Sequence, residues 1–242
     1  LSSMGRANWR EALGQHTCNA EYVAFFEQEL AELGRTELMK YYLPILMPGV
    51  GGGAFHPLIR LGYGVDADFD CEIVQAFAAW AMAYLNLGEP SPEMGERPTE
   101  GIARLRKNEF FQSFEADAPN IFKRMAVISR ESQFSGFGAL EPEVSIGDLR
   151  SVALEAFAGS GNSFTALHLV TACHALRLVS EIVPAVVRDN LHYFWRAVGA
   201  AYISIQMPEP VGDVPPTEFS WNLIFEKACQ SRDDHTIKFA YS

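Results

Sequence analysis

The chain has 242 residues, of which 48% are hydrophobic and 20% charged, a globular composition that excludes a disordered or disulfide-framework chain. Acidic residues number 30 and basic residues 19, which gives a net charge of −11. This balance offers no basic surface for nucleic acid or an anionic membrane, and it favours a small neutral substrate. The four cysteines form no C-x-x-C pair, and the first residues lack a signal-peptide pattern. Both observations predict a soluble protein of the reducing cytoplasm.

Apolar residues recur at the three- and four-residue spacing of amphipathic helices along almost the whole chain. Capping residues and prolines mark the expected helix ends; Ser145 and Asp148, for example, have the spacing of a capping box. Alternating strand patterns are scarce. The predicted helices are 19–33, 36–42 (closed by Pro44), 68–87, 117–132, 145–157, 163–179 (capped by Asn162 or Ser163), 184–206, 218–229 and 234–241.

The helix predicted over 163–179 carries no charged residue before Arg177. A helix that is apolar on all sides usually lies at the centre of a fold, and its Ser, Thr and His residues distinguish it from a membrane span. We therefore predict an all-α protein with a single domain, residues 1–242, in which about ten helices surround this central helix. The sequence leaves the oligomeric state open.

A glycine-rich segment, Pro48–Ala54, has the outline of a dinucleotide-binding fingerprint, and acidic residues follow Gly49 at about the required 20-residue distance. A Rossmann site needs a buried strand on either side of its helix. Here the residues before the segment have a helical pattern, and residues 65–70 lack the apolar run of a buried strand. We therefore favour a tight turn that passes close to a neighbouring element before a helix starting near Ala54.

Three histidines, His56, His168 and His235, lie on separate predicted helices and are followed closely by apolar or β-branched residues. One buried histidine is usually a satisfied core residue. Three unpaired imidazoles are costly to bury, whereas one shared metal ion satisfies all of them, and imidazole suits iron, zinc, copper and nickel. His174 is six residues from His168, about 240° around a helix, so only one of the two is expected at a common site. We favour His168.

Other side chains near these histidines have two interpretations each. Lys238 shares a helix face with His235; it is either a last-turn surface lysine or a buried lysine of lowered pKa, whose neutral amine forms a carbamate with carbon dioxide. Arg60 holds a substrate oxygen or, as we favour, forms a surface salt bridge. Tyr63 stacks on a flat aromatic substrate or belongs to the core. The sequence has no His-Asp dipeptide, no H-E-x-x-H and no G-x-S-x-G motif.

Four segments resemble the questin oxidase family, and they are spread in the family's order over almost the whole chain: RANWR at 6–10, LPILMPGVGGGAFHPLIRLGYG at 43–64, FTALHLVTACHALR at 164–177 and DDHTIK at 233–238. The resemblance implies an all-helical, mostly cytoplasmic oxidoreductase. Fungal members of the family act in aromatic polyketide pathways. They open the quinone ring of anthraquinones in a Baeyer–Villiger-like monooxygenase or dioxygenase-like step that needs O2 and, in some members, NADPH.

The resemblance also implies a non-haem Fe(II) held by histidines and a carboxylated lysine. Carried over to this chain, the candidate ligands are His56, His168 or His174, His235 and Lys238. This chain departs from the family's pattern at one point. The family has an Asn-His-Pro-Met-like block before the RANWR-like segment. This chain begins with Leu1, shortly before Arg6, and we expect an N-terminal segment to be missing.

Two other classes of function stay open at this stage. One is a metal-free helical protein that binds an apolar aromatic ligand, with the histidines as polar groups of the pocket. The other is a hydrolase or isomerase that uses a divalent metal without O2. Neither needs a nucleotide motif, and the sequence offers no convincing one for NADPH.

Overall fold

The computed structural model describes residues 4–90, 95–161, 163–212 and 220–242. These residues form twelve α-helices and no strand, with a single bridge between Glu96 and Leu140, so the all-α prediction is confirmed. None of the helices in the described ranges combines the length and apolarity needed to cross a bilayer. The helices are α1 Asn19–Leu46, α2 His56–Asp66, α3 Asp70–Met82, α4 Pro98–Lys107, α5 Glu109–Ser113, α6 Ile121–Ile128, α7 Ile146–Gly159, α8 Phe164–Ile182, α9 Pro184–Asp189, α10 Leu191–Ser204, α11 Trp221–Gln230 and α12 Asp234–Tyr241.

The predicted central helix is α8, and most of its residues are buried. It contacts α2, α7, α9, α10 and α12, which confirms its place in the fold. The contact with α2 is close because Gly62 has no side chain there: a Cβ at that position would lie 2.7 Å from Cα of Ala175. This close approach sets the spacing between the two helices that carry His56 and His168.

Several helix ends differ from the prediction. Pro44 does not end α1, since the helix runs on to Leu46 and continues into a 3-10 turn, while the chain kinks instead at Gly34, where φ is 72°. The helix predicted over 184–206 is broken at Asn190, whose side chain donates to the Val186 carbonyl. Helices α4 and α5 were not predicted. Ser145 and Asp148 form the expected capping box, whereas Asn162 and residues 218 and 219 lie outside the described residues.

The glycine-rich segment forms two 3-10 turns, Met47–Gly49 and Gly52–Phe55. The prediction of a tight turn close to a neighbour is confirmed, because a Cβ at Gly52 would overlap the Ala83 carbonyl. No strand precedes the turns in the described chain, so a dinucleotide fingerprint is excluded. Gly53, Ala54 and Phe55 have φ of 58°, 55° and 66°, a run of left-handed residues that is uncommon outside glycine. It ends directly at His56, the first residue of α2.

The RANWR segment packs against both halves of α1. Arg6 forms a 2.7 Å ion pair with Glu29, which is buried, and the Tyr42 hydroxyl donates to the same carboxylate over 2.6 Å. Trp9 is buried against Phe25 and other rings of α1. A buried carboxylate is stable only when it is paired and hydrogen-bonded, so this motif has a clear structural role that explains its sequence.

Candidate metal centre

Three histidines from distant parts of the sequence meet between α2, α8 and α12. His56 is the first residue of α2, His168 lies in the first turns of α8, and His235 is the second residue of α12. One ring nitrogen of each lies within 4.8 Å of the others. His168 is buried, His56 is exposed and His235 is intermediate, so the cluster reaches from the core to the surface.

The imidazoles of His56 and His168 face each other, and their Nε2 atoms lie 3.2 Å apart. Each Nδ1 atom points at a backbone carbonyl: His56 at Gly53 over 2.5 Å, and His168 at Phe164 over 2.6 Å. A carbonyl oxygen only accepts, so Nδ1 carries the hydrogen in both rings, and each neutral ring presents a lone pair at Nε2. Two lone pairs at this distance repel each other unless a proton or a metal ion lies between them.

The gap between the two Nε2 atoms has the width that a metal ion bound by both rings requires. Burial lowers the pKa of His168 from 6.5 to about 4, against the smaller opposing effect of the Phe164 carbonyl, so the ring resists protonation. A metal–nitrogen bond is about 2.0–2.1 Å long, which puts two nitrogens on one ion roughly 3–3.4 Å apart. The observed 3.2 Å separation lies in this range. The two backbone carbonyls accept from the Nδ1 atoms and so fix the orientation of both rings, as hydrogen-bond partners of metal-bound histidines do.

His235 is positioned by the start of α12. Asp233 caps the helix by accepting from the backbone N–H groups of His235 and Thr236, and the carboxylate of Asp234 lies 3.0 Å from Nδ1 of His235. A carboxylate that accepts from one ring nitrogen orients a histidine for metal binding through the other. The ring of Phe164 lies against His168 and His235, with centroid distances of 4.5 and 4.6 Å.

Lys238 lies at the edge of the cluster, and with the three histidines it lines a narrow cleft between α2, α8 and α12. Its ammonium group is 2.7 Å from the Asp234 carboxylate, and 34% of its side chain is exposed. The side chain is thus only partly buried and ion-paired, which favours the surface lysine of the two interpretations, and Lys238 as a metal ligand stays a prediction. Lys238, Asp234 and His235 form a chain of polar contacts, because residues four apart on a helix share a face.

Three other predicted site residues lie outside the cluster. Arg60 forms an ion pair with Glu72, 2.6 Å from Nε, which is the surface salt bridge that we favoured. His174 is buried against the ring of Tyr241 and points to a different place from His168, as expected from their spacing. Tyr63 also packs against Tyr241, with a centroid distance of 5.8 Å. None of the three is among the described residues that line the cleft of the three histidines.

An aromatic cavity opens beside the cluster. It has a volume of about 460 Å³, and His235 forms part of its wall together with Phe157, Phe164, Leu167 and Phe239. The rings of Phe157 and Phe239 are 4.5 Å apart. The sequence analysis did not identify Phe157, Phe239 or the role of Asp234. Phe239 is four residues after His235, and that shared helix face was the available signal.

The depressed pKa of His168 predicts a pH-dependent stability in the metal-free protein. The unfolded chain binds a proton near 6.5 but the folded chain only near 4, so stability falls as pH drops from 6.5 towards 4 and is unaffected above that window. We expect this residue to contribute a loss of roughly 2–3 kcal/mol. Urea unfolding of the chain and its His168→Gln variant at several pH values measures the difference. Parallel pH profiles would contradict the prediction.

The fold and this site together define an all-helical protein with a candidate three-histidine metal centre. The chain matches the model of the Questin oxidase-like family over residues 2–242, nearly its whole length. It therefore belongs to the Questin oxidase-like family, as its sequence motifs indicated, and this membership points to an oxidoreductase. Comparison with the curated proteins found no match.

Proposed function

We propose that the protein is an O2-dependent oxidoreductase that oxidises or opens the ring of an aromatic polyketide or quinone at a non-haem iron. His56, His168 and His235 would hold the ion. The observation that carries the proposal is the 3.2 Å approach of two Nε2 atoms whose Nδ1 atoms are both committed to backbone carbonyls. The four described cysteines are free, which suits a cytoplasmic enzyme.

Iron bound by these imidazoles supplies one-electron chemistry towards O2 and acts as a Lewis acid for a phenol or quinone oxygen. The protein's own residues do the rest. The Gly53 and Phe164 carbonyls hold the His56 and His168 rings in one tautomer, and Asp234 orients His235. Lys238 in turn donates to Asp234 and keeps that carboxylate in place.

The aromatic cavity is the proposed substrate site. Phe157, Phe164 and Phe239 present ring faces and edges to it, and a flat polycyclic substrate gains both apolar burial and ring contacts from such walls. Because His235 also lines this cavity, a substrate bound there lies next to the metal centre. Contact with these rings removes part of the substrate's apolar surface from water, which contributes to its binding.

Metal analysis and oxygen uptake test the proposal together. The chain is purified from aerobic, iron-fed cells, its metal content is measured, and O2 consumption is followed with a polyhydroxylated anthraquinone, with and without NADPH. Close to one equivalent of iron and substrate-dependent O2 uptake are expected. Less than about a tenth of an equivalent of any transition metal, given the tight chelation that imidazoles provide, would overturn it and favour a metal-free binder. A bound divalent metal without O2 uptake would favour a hydrolase or isomerase.

A further inference from the structure

A second, larger cavity lies between α7, α11 and α12, with Val170 of α8 among its lining residues. Its volume is about 570 Å³, which is within the range of small-molecule sites, about 300–1,000 Å³. It shares Thr236 and Phe239 with the aromatic cavity, but none of the three clustered histidines lines it. It therefore adjoins the aromatic cavity without reaching the histidine cluster.

The walls of this cavity are almost wholly apolar. Leu154, Val170, Ile224 and Phe239 contribute to them, and Trp221 lies at the rim with 71% of its surface exposed. Leu154 is also exposed. Large apolar side chains left in contact with water around one concave surface mark a binding site more often than isolated exposed residues do.

The charged side chains that line the cavity are basic. Among the described residues that line it, the charged side chains are Arg150 and Lys227, and none is acidic, although the chain as a whole has a net charge of −11. Arg150 donates one hydrogen bond to the Ser242 carbonyl, which uses one of its five N–H donors. A planar guanidinium with donors to spare matches the geometry of a carboxylate.

We propose that this cavity binds an amphipathic carboxylate, with its apolar chain between α7, α11 and α12 and its carboxylate on Arg150. An uncharged apolar molecule would gain the same burial but no contact with the guanidinium, and a cationic one would be repelled by the guanidinium of Arg150. Binding at this site needs no metal. The proposal therefore goes beyond the proposed oxidoreductase function and is tested independently of it.

Fluorescence titration tests the ligand class. Trp221 is at the rim while Trp9, Trp80 and Trp195 are buried, so a ligand in the cavity changes chiefly the emission of Trp221. The probes are dodecanoate, dodecan-1-ol and dodecyltrimethylammonium, each below its micelle concentration. Dodecanoate is expected to give a saturable change with a Kd at least about tenfold lower than those of the other two, as a charge-assisted hydrogen bond implies. Equal affinity for the alcohol, or no saturable change with dodecanoate, would overturn the proposal.

Two variants locate the site, with calorimetry as the readout. Arg150→Gln is expected to weaken dodecanoate binding about tenfold and to leave dodecan-1-ol unaffected, whereas Ala240→Phe places a ring in the cavity and abolishes binding of both. Arg188→Gln, an exposed arginine that does not line the cavity, is the matched control and binds as the unaltered chain does. Iron content stays unchanged in all three, which separates this result from the metal proposal. Unaltered dodecanoate affinity in Arg150→Gln would show that the guanidinium is not the anchor.

Discussion

Replacing His168 with alanine is expected to weaken metal binding by at least about 100-fold. Loss of an outer-shell partner alone costs about 10–100-fold at known metal sites, and this change removes a ligand. It also removes the Nε2 atom that lies 3.2 Å from Nε2 of His56. Only His56 and His235 of the cluster then remain to bind the ion. Fe(II) or Co(II) titration of the metal-free protein, followed by absorption spectroscopy, measures the affinity directly.

His174→Ala is the matched control for this experiment. His174 is on the same helix, is similarly buried, and packs against Tyr241 rather than in the cluster. The His174→Ala substitution removes the same volume and the same chemical group as His168→Ala. Any general effect of truncating a histidine of α8 therefore appears in both variants. Metal affinity is expected to be retained in His174→Ala. Loss in His174→Ala with retention in His168→Ala would mean that the cluster is not the metal centre.

The class of fold and the central helix could be predicted because both depend on patterns within single helices. The long uncharged run before Arg177 marks α8 as buried, and the angular separation of His168 and His174 around one helix is enough to separate their surroundings. Helix α5 was missed because it has only five residues, and α4 because it begins at Pro98, directly after a proline-rich stretch. A break such as the one at Asn190 depends on a side chain that caps the preceding turn.

Contacts between distant helices could be predicted only in part. The apolar neighbours of Lys238 suggested burial, but the depth of α12 in the fold is decided by how it packs on α8, and the lysine stays partly exposed beside Asp234. The pairing of Asp234 with His235 was not foreseen either, because both residues are adjacent in a polar segment that looks like an ordinary helix start. Helical periodicity describes one element and contains no information about the distance to the next.

The glycine-rich segment shows the same limit. Its composition predicted a close approach, and the structure supplies the partner: Gly52 lies against the backbone of Ala83, just beyond the end of α3. This contact holds the left-handed turn Gly53–Phe55 in place and so determines where α2 begins. The position of His56 in the candidate metal centre therefore depends on Gly52, a residue four positions earlier that is not part of the histidine cluster.

Gly52→Ala is accordingly expected to destabilise the protein by about 3 kcal/mol, the upper end of the usual cost of forcing extra volume into a packed site. The added methyl group would overlap the carbonyl of Ala83, and a backbone atom, unlike the end of a flexible side chain, moves only if the helix end moves. The urea midpoint of unfolding measures the loss. The folded variant is also expected to bind metal weakly, because the displaced turn no longer fixes the position of His56.

Gly136→Ala is the matched control for the added methyl group. Nothing lies within 4 Å of a Cβ at Gly136, and its φ is not in the left-handed region, so the same chemical change there meets open space. Its free energy of unfolding is expected to stay within about 0.5 kcal/mol of that of the unaltered chain, as is usual for a substitution at the surface. Equal stability of the two variants would show that the turn has room to adjust, and that the approach of Gly52 to Ala83 does not fix the start of α2.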